Sequence, residues 1–130
     1  IAGFPTESDR MFKNTLASID DMGLTFLHVF PFSSRPGTAA AKMPQVAVGI
    51  RKNRARALRQ AGESAKRRYL ESLIGETTQI LVEDENKGYT PHFAPVTLGL
   101  ENDAFSPAGG LVDVKILNIE DARLFAKACS

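Results

Sequence analysis

The sequence has 130 residues, 43% apolar and 24% charged, with a formal net charge of +1. That length lies in the usual single-domain range and is enough for a real core. No apolar run approaches the roughly 20 residues a membrane span needs, which excludes a bilayer-embedded helix. The one cysteine, Cys129, excludes an internal disulfide and a thiolate-ligated cluster, and with no basic-then-apolar leader the expected compartment is the cytoplasm.

Charge is unevenly distributed along the chain. Residues 1–50 carry four basic and four acidic side chains and are neutral. Residues 51–68 hold eight basic groups against one acid, Glu63, for +7, and the remainder sums to −6. A basic middle followed by an acidic tail predicts segments with separate roles.

In chain order, Ile1 to Pro5 reads like the end of a buried strand entering a loop, so the chain is expected to be a piece of something longer. Thr6 or Ser8 can cap a helix, with Phe12, Leu16 and Ile19 on its apolar stripe and Gly23 as its stop. Residues 24–32 form a mostly apolar run that suits a strand covered on both faces, with His28 as a satisfied core histidine. Strand end, helix and strand make a βαβ unit, the building block of parallel sheets and barrels. In such folds ligands gather at the carboxyl ends of strands, which places residues 3–7 and the turn-rich loop 33–38 on one functional rim.

Pro44 marks the approach to a long helix over residues 45–73, striped by Val46, Ile50, Ala57, Leu58, Ala61, Ala65, Leu70 and Leu73. Gly62 interrupts it and Gly75 ends it. Lys52, Arg56 and Arg59 share one face, with Lys66 two turns further on. That face is either simply solvated or a phosphate-contacting surface. Arg67 and Arg68 fall where one segment gives way to the next.

From Glu76 the pattern changes to short strands. Residues 77–82 are β-prone, 84–88 form a polar turn, and 89–98 are strand-like but interrupted by Pro91 and Pro95. Residues 102–110 read as a loop. Val112, Val114 and Ile116 then alternate with Asp113 and Lys115, and residues 122–126 close the set. The expected architecture is α/β plus all-β: a βαβ portion and basic helix over residues 1–72, then a small antiparallel β-barrel over 73–130.

Two motifs carry a resemblance. Gly3, Phe4, Pro5, Thr6 and Glu7, followed by His28 to Phe32, Ser33, Arg35, Gly37, Thr38 and Ala39, resemble the late barrel strands of radical-SAM methylthiotransferases. The segment centred on Gly88, Tyr89, Thr90, Pro91, His92 and Phe93 and on Gly110 to Ile116 resembles the RNA-binding TRAM barrel that ends those enzymes. The order matches along essentially the whole chain, and the first motif looks most like the branch acting on threonylcarbamoyladenosine. The resemblance implies a parent that uses S-adenosylmethionine and [4Fe–4S] clusters to add a methylthio group to an adenosine beside the anticodon of tRNA. It also implies cluster cysteines in a Cys-x-x-x-Cys-x-x-Cys segment and three more before it. One tail cysteine cannot replace six, so this chain alone is expected to be inactive and to bind no cofactor by itself.

By the same resemblance, Gly3, Glu7, Ser33 and Arg35 would lie at the S-adenosylmethionine rim. Each has a plainer reading as turn geometry, helix-end charge or loop support. Arg51, Lys52, Arg56, Arg59, Lys66, Arg67 and Arg68 would contact tRNA phosphates, so that alanine at Arg51, Arg56 and Arg59 flattens the salt dependence of binding. Tyr89, His92 and Phe93 would stack on bases, or else face the core. Glu83, Asp84 and Glu85 argue against broad electrostatic binding by the barrel. The alternatives are a stand-alone RNA-binding module without catalysis and a piece of a different βα-barrel enzyme. The uncovered apolar run also predicts self-association.

Overall fold

Ser8 caps the first helix of the computed structural model, which describes residues 1–99 and 108–129. Its Oγ accepts the Met11 N–H at 3.2 Å, and helix α1 (Asp9–Asp21) runs until Gly23 takes a φ of +65°. The expected stripe turns inward. Ile19 is buried with Ala2, Ala55, Leu58 and Ala65, and Phe12 and Leu16 pack against that cluster.

The segments flanking α1 meet in a single parallel bridge between Ala2 and Pro31. Ala2 N–H donates to Phe30 C=O at 2.9 Å, and Phe32 N–H donates to Ala2 C=O at 2.7 Å. The doubly covered strand expected over residues 24–32 is therefore corrected to an extended segment with one bridge. Leu27 and Val29 pack inward, whereas Phe26 and Phe30 are exposed. His28 is exposed too, not a core residue. Apolar residues occupy both parities of this run, so the sequence hides the period-two alternation that extended backbone imposes.

Helix α2 (Val48–Ser72) starts three residues later than the sequence suggests. Gln45 spends its side chain on the Ala40 and Met43 carbonyls, at 2.8 and 2.9 Å. Pro44 keeps Met43 extended, as proline does to the residue before it. Gly62 does not interrupt the helix. A Cβ there would come within 2.9 Å of Leu27 Cδ1, so the glycine lets the 24–30 segment cross close to the helix.

The chain divides into two units at Lys66 and Arg67, inside α2. The last turns of α2 go with the second unit because Leu70 is part of its core, with Tyr69 and Leu73 packed against it. Five strands follow: β1 (Thr77–Asp84), β2 (Lys87–Tyr89), β3 (Pro95–Leu98), β4 (Leu111–Glu120) and β5 (Arg123–Ala128). They close into a barrel in the order β1-β2-β3-β5-β4. Its core is Leu70, Ile80, Val82, Ala94, Val96, Val114, Ile116, Leu124 and Ala126, and β4 alternates as expected.

The expectation of a wholly antiparallel barrel is corrected at one seam, because β3 and β5 run parallel, with Val96 beside Leu124. An odd number of strands cannot alternate direction all the way round a closed barrel, so one parallel pair is required. Pro95 opens β3, a place where a missing N–H costs least. Gly88 lies so close to β1 that a Cβ would run into the Leu81 carbonyl oxygen. Of the loop expected over residues 102–110, residues 102–107 lie outside the described residues.

Candidate nucleic-acid interface

In the first unit the segments that lead into the two loops expected at one rim lie side by side. They are joined by the Ala2–Pro31 bridge and by an edge-on contact between Phe4 and Phe32, ring centroids 5.3 Å apart. Gly3 takes φ +81°, and its missing side chain leaves room for the stem of Arg51. Its N–H donates to Glu7 Oε1 at 2.9 Å.

The same Glu7 oxygen accepts from Arg54 Nη1 at 2.9 Å, and Arg54 Nη2 reaches Asp9 Oδ1 at 2.6 Å. Arg54 is buried and stacks over Phe12, 5.5 Å from its ring centroid. Burial by itself disfavours the charge on Arg54. The hydrogen bonds from Asp9 and Glu7 and their negative charges outweigh it and hold the guanidinium above its ordinary range.

Two further arginines of the basic segment grip backbone. Arg51 Nη1 donates to Phe32 C=O at 2.9 Å, and its buried Nε has no partner. Arg59 donates from Nε and Nη2 to Val29 C=O at 3.2 and 2.9 Å. Arg51, Arg54 and Arg59 thus hold residues 3–9 and 29–32 against α2. Arg51 and Arg59, read from the sequence as phosphate contacts, are bonded to carbonyls of the chain, and Arg59 stays exposed.

Lys52 and Arg56 remain on the exposed side of α2, Arg56 only 3.5 Å from Asn53 Oδ1. Lys66 is half-buried, Arg68 is exposed, and Arg67 pairs with Glu71 at 3.0 Å on the surface. Ser33 and Arg35 are exposed in a turn closed by Thr38 Oγ1 on the Arg35 carbonyl at 2.8 Å. Gly3 and Glu7 are bonded to the chain itself, and Ser33 and Arg35 present their side chains to solvent. A thiolate-ligated cluster does not fit this chain. Cys129 is a lone exposed thiol, and among the described residues no three His, Cys, Asp or Glu side chains come together.

The barrel carries a groove of about 350 Å³ whose lining includes Leu81, Tyr89, Phe93 and Leu111. Tyr89 is half-buried, with the Arg123 guanidinium 5.9 Å from its ring centroid. Phe93 is 76% exposed and adopts φ +63°, a left-handed conformation uncommon for a bulky residue. Thr90 fixes this turn: its carbonyl accepts the Phe93 N–H at 2.9 Å and its buried Oγ1 accepts the Ala94 N–H at 3.0 Å. His92 is exposed beside Phe93 but does not line the groove.

Sequence reasoning singled out Tyr89 and Phe93 but missed Leu81, Leu111 and Arg54. The available signal for Leu81 was its place between Ile80 and Val82, whose inward alternation turns it out. Among the described residues no helix is long and apolar enough to cross a membrane.

Comparison with known proteins follows the motifs. The chain is 42% identical over 121 residues to the threonylcarbamoyladenosine tRNA methylthiotransferase of Rickettsia prowazekii, covering 93% of this chain and 28% of that protein. It is 33% identical over 125 residues to the probable threonylcarbamoyladenosine tRNA methylthiotransferase of Methanocaldococcus jannaschii, covering 96% and 27%. A tRNA-2-methylthio-N(6)-dimethylallyladenosine synthase of Bartonella bacilliformis is 32% identical over 125 residues, covering 91% and 26%. The chain thus spans a little over a quarter of the curated relatives it matches. No family model matches it.

Proposed function

Because the chain belongs to the methylthiotransferase family, we propose that it is the tRNA-gripping part of an enzyme that adds a methylthio group to a modified adenosine beside the anticodon. The threonylcarbamoyladenosine branch is the best fit, given the 42% identity to a relative of that name. In this reading the five-stranded barrel is the family's TRAM domain, the first unit is the last part of its radical-SAM barrel, and the protein works in the cytoplasm. Support comes from the order of parts: a βα rim, a basic helix, then a closed small barrel.

Bound S-adenosylmethionine and iron–sulfur clusters would supply the radical and sulfur chemistry in the whole enzyme. This chain's residues do other work. Arg51, Arg54 and Arg59 fix the rim loops on α2, so that residues 3–7 and 33–35 keep one shape. Lys52 and Arg56 offer their charge outward to phosphates, with Lys66, Arg67 and Arg68 in supporting positions. Tyr89 and Phe93 present aromatic surface to unpaired bases of the anticodon loop, and His92 lies on the same turn.

The observation that supports the tRNA reading is the sorting of α2 cations into those bonded to the chain, Arg51, Arg54 and Arg59, and the outward Lys52 and Arg56. Binding of an anticodon stem-loop should weaken linearly with the logarithm of salt concentration, by roughly 0.7–0.9 per phosphate contact. The Lys52→Ala, Arg56→Ala double variant should reduce that slope by between about one and two. A slope that does not move overturns the phosphate surface.

A further inference from the structure

We propose that the barrel groove is a reading site for one unpaired guanine and that Glu83 selects it. The inference rests on the RNA-binding reading above and gives it a base and a specificity residue. Leu81 pairs across β1–β2 with Tyr89 and across β1–β4 with Leu111, so the three side chains form one row over three strands. Leu81 is 42% exposed and Leu111 65%, an apolar row that water covers poorly. Phe93 stands at its edge, held outward by the Thr90 turn at a cost in backbone strain. An exposed apolar row that includes one aromatic ring, with a second at its edge, suits a planar ring that stacks.

The polar ends of the groove choose among the bases. Gln79 and Glu83 also line the groove, two residues before and after Leu81 on β1, and Glu83 falls at the bulge that breaks the β1–β2 register between Val82 and Asp84. Gln79 Nε2 donates to Asp113 Oδ1 at 3.2 Å, which leaves its carbonyl oxygen as an acceptor. The Glu83 carboxylate is exposed and accepts at both oxygens. Among the described residues no cation lines the groove, so it disfavours phosphate and favours a base edge rich in donors.

Guanine alone carries two adjacent donors on its pairing edge, the ring N1–H and the exocyclic amine. These match the two oxygens of one carboxylate, as a guanidinium fork does. Adenine and cytosine present one amine beside an acceptor. Uracil presents one N–H between two carbonyls, which a carboxylate repels.

The test titrates the 130-residue chain, by fluorescence anisotropy, with all-uridine RNA heptamers and with heptamers carrying a central guanine, adenine or cytosine. The guanine heptamer should bind about tenfold tighter than all-uridine, a fair return for one bidentate charged pair, with adenine and cytosine between. Glu83→Gln should narrow that gap to within about twofold, the guanine arm weakening and the uridine arm strengthening as a negative charge is lost. Phe93→Ala should weaken all four together, since stacking tolerates every base. Both side chains are exposed, and superposable circular dichroism spectra would show that the variants fold.

Equal affinity for the four heptamers, with the Lys52 and Arg56 salt slope retained, overturns the guanine site and leaves the RNA-binding reading standing. No binding to any heptamer or to the stem-loop overturns both. A dimer that Leu81→Asp converts to monomer, without base preference in either form, identifies the row as a protein interface and also overturns the proposal.

Discussion

Arg54 and Glu7 are joined twice: one terminal nitrogen of the arginine donates to both the carboxylate, at 2.9 Å, and the backbone carbonyl, at 2.8 Å, of the glutamate. Their side chains are 8% and 12% exposed, so each would be left desolvated without the other. Arg54→Ala should therefore cost about 3–5 kcal/mol, the range for removing one partner of a buried pair. Asp9 also bonds Arg54 but is 89% exposed, and Asp9→Asn should cost no more than about 1 kcal/mol. Urea unfolding followed by circular dichroism, with hydrogen exchange at α1 amides, ranks the two. Equal costs would show that the buried contact is not what holds the rim.

The raised pKa of Arg54 sets a pH window. A cation held above its ordinary range contributes stability that is complete at lower pH and lost only as pH climbs through the folded value. For an arginine that lies beyond the range in which the fold is usually measured, so this contact should not weaken between neutral pH and mild alkali. Arg54→Lys places a group with an ordinary pKa of about 10.4 in the same site. Melting curves of that variant should fall relative to the parent only as pH rises past about 10.4. Parallel profiles would mean that charge at this position does not support the fold.

The parts legible in the sequence are those whose causes are local. Ser8, the Phe12, Leu16 and Ile19 stripe and Gly23 define α1 within a few residues of each other, and alternation in residues 112–116 defines β4. Arg54 was not legible because nothing within eight clustered cations marks the one that becomes buried. Its burial depends on Glu7 and Asp9, which are 47 and 45 residues earlier. The same holds for Arg51 and Arg59, whose acceptors are carbonyls of a segment that has no strand pattern. Tyr89 and Phe93 could be named as aromatics in a barrel turn. Their partnership with Leu81 and Leu111 needs the register of three strands, which no single stretch encodes.

Two glycines of α2 should respond differently to an added side chain. At Gly49 an added Cβ meets nothing within 4 Å, and alanine should stabilise the helix by up to about 1 kcal/mol through its higher propensity. At Gly62 the same Cβ would lie 2.9 Å from Leu27 Cδ1 and 3.3 Å from Leu27 Cβ and Cγ. The propensity gain is then offset by displacement of the 24–30 segment, and Gly62→Val should destabilise clearly, by roughly 1–3 kcal/mol. Thermal melts of the three variants decide it. A stabilised Gly62→Val would mean that Leu27 does not pack where the structure has it.

Phe93 tests whether strain in the barrel is kept for binding. At φ +63° a bulky side chain costs roughly 1–2 kcal/mol, and this ring, 76% exposed, recovers little of that by burial. Asparagine tolerates the left-handed region and does not carry the extra unfolded-state entropy of glycine. Phe93→Asn should therefore raise stability by up to about 1 kcal/mol while lowering affinity for single-stranded RNA by about five- to tenfold, the share of one stacked base. Opposite signs in the melt and the titration would identify a residue whose place is set by what it contacts, not by what it stabilises. If Phe93→Asn instead destabilises the barrel, the ring is packing against its neighbours in solution and the groove is closed to a base.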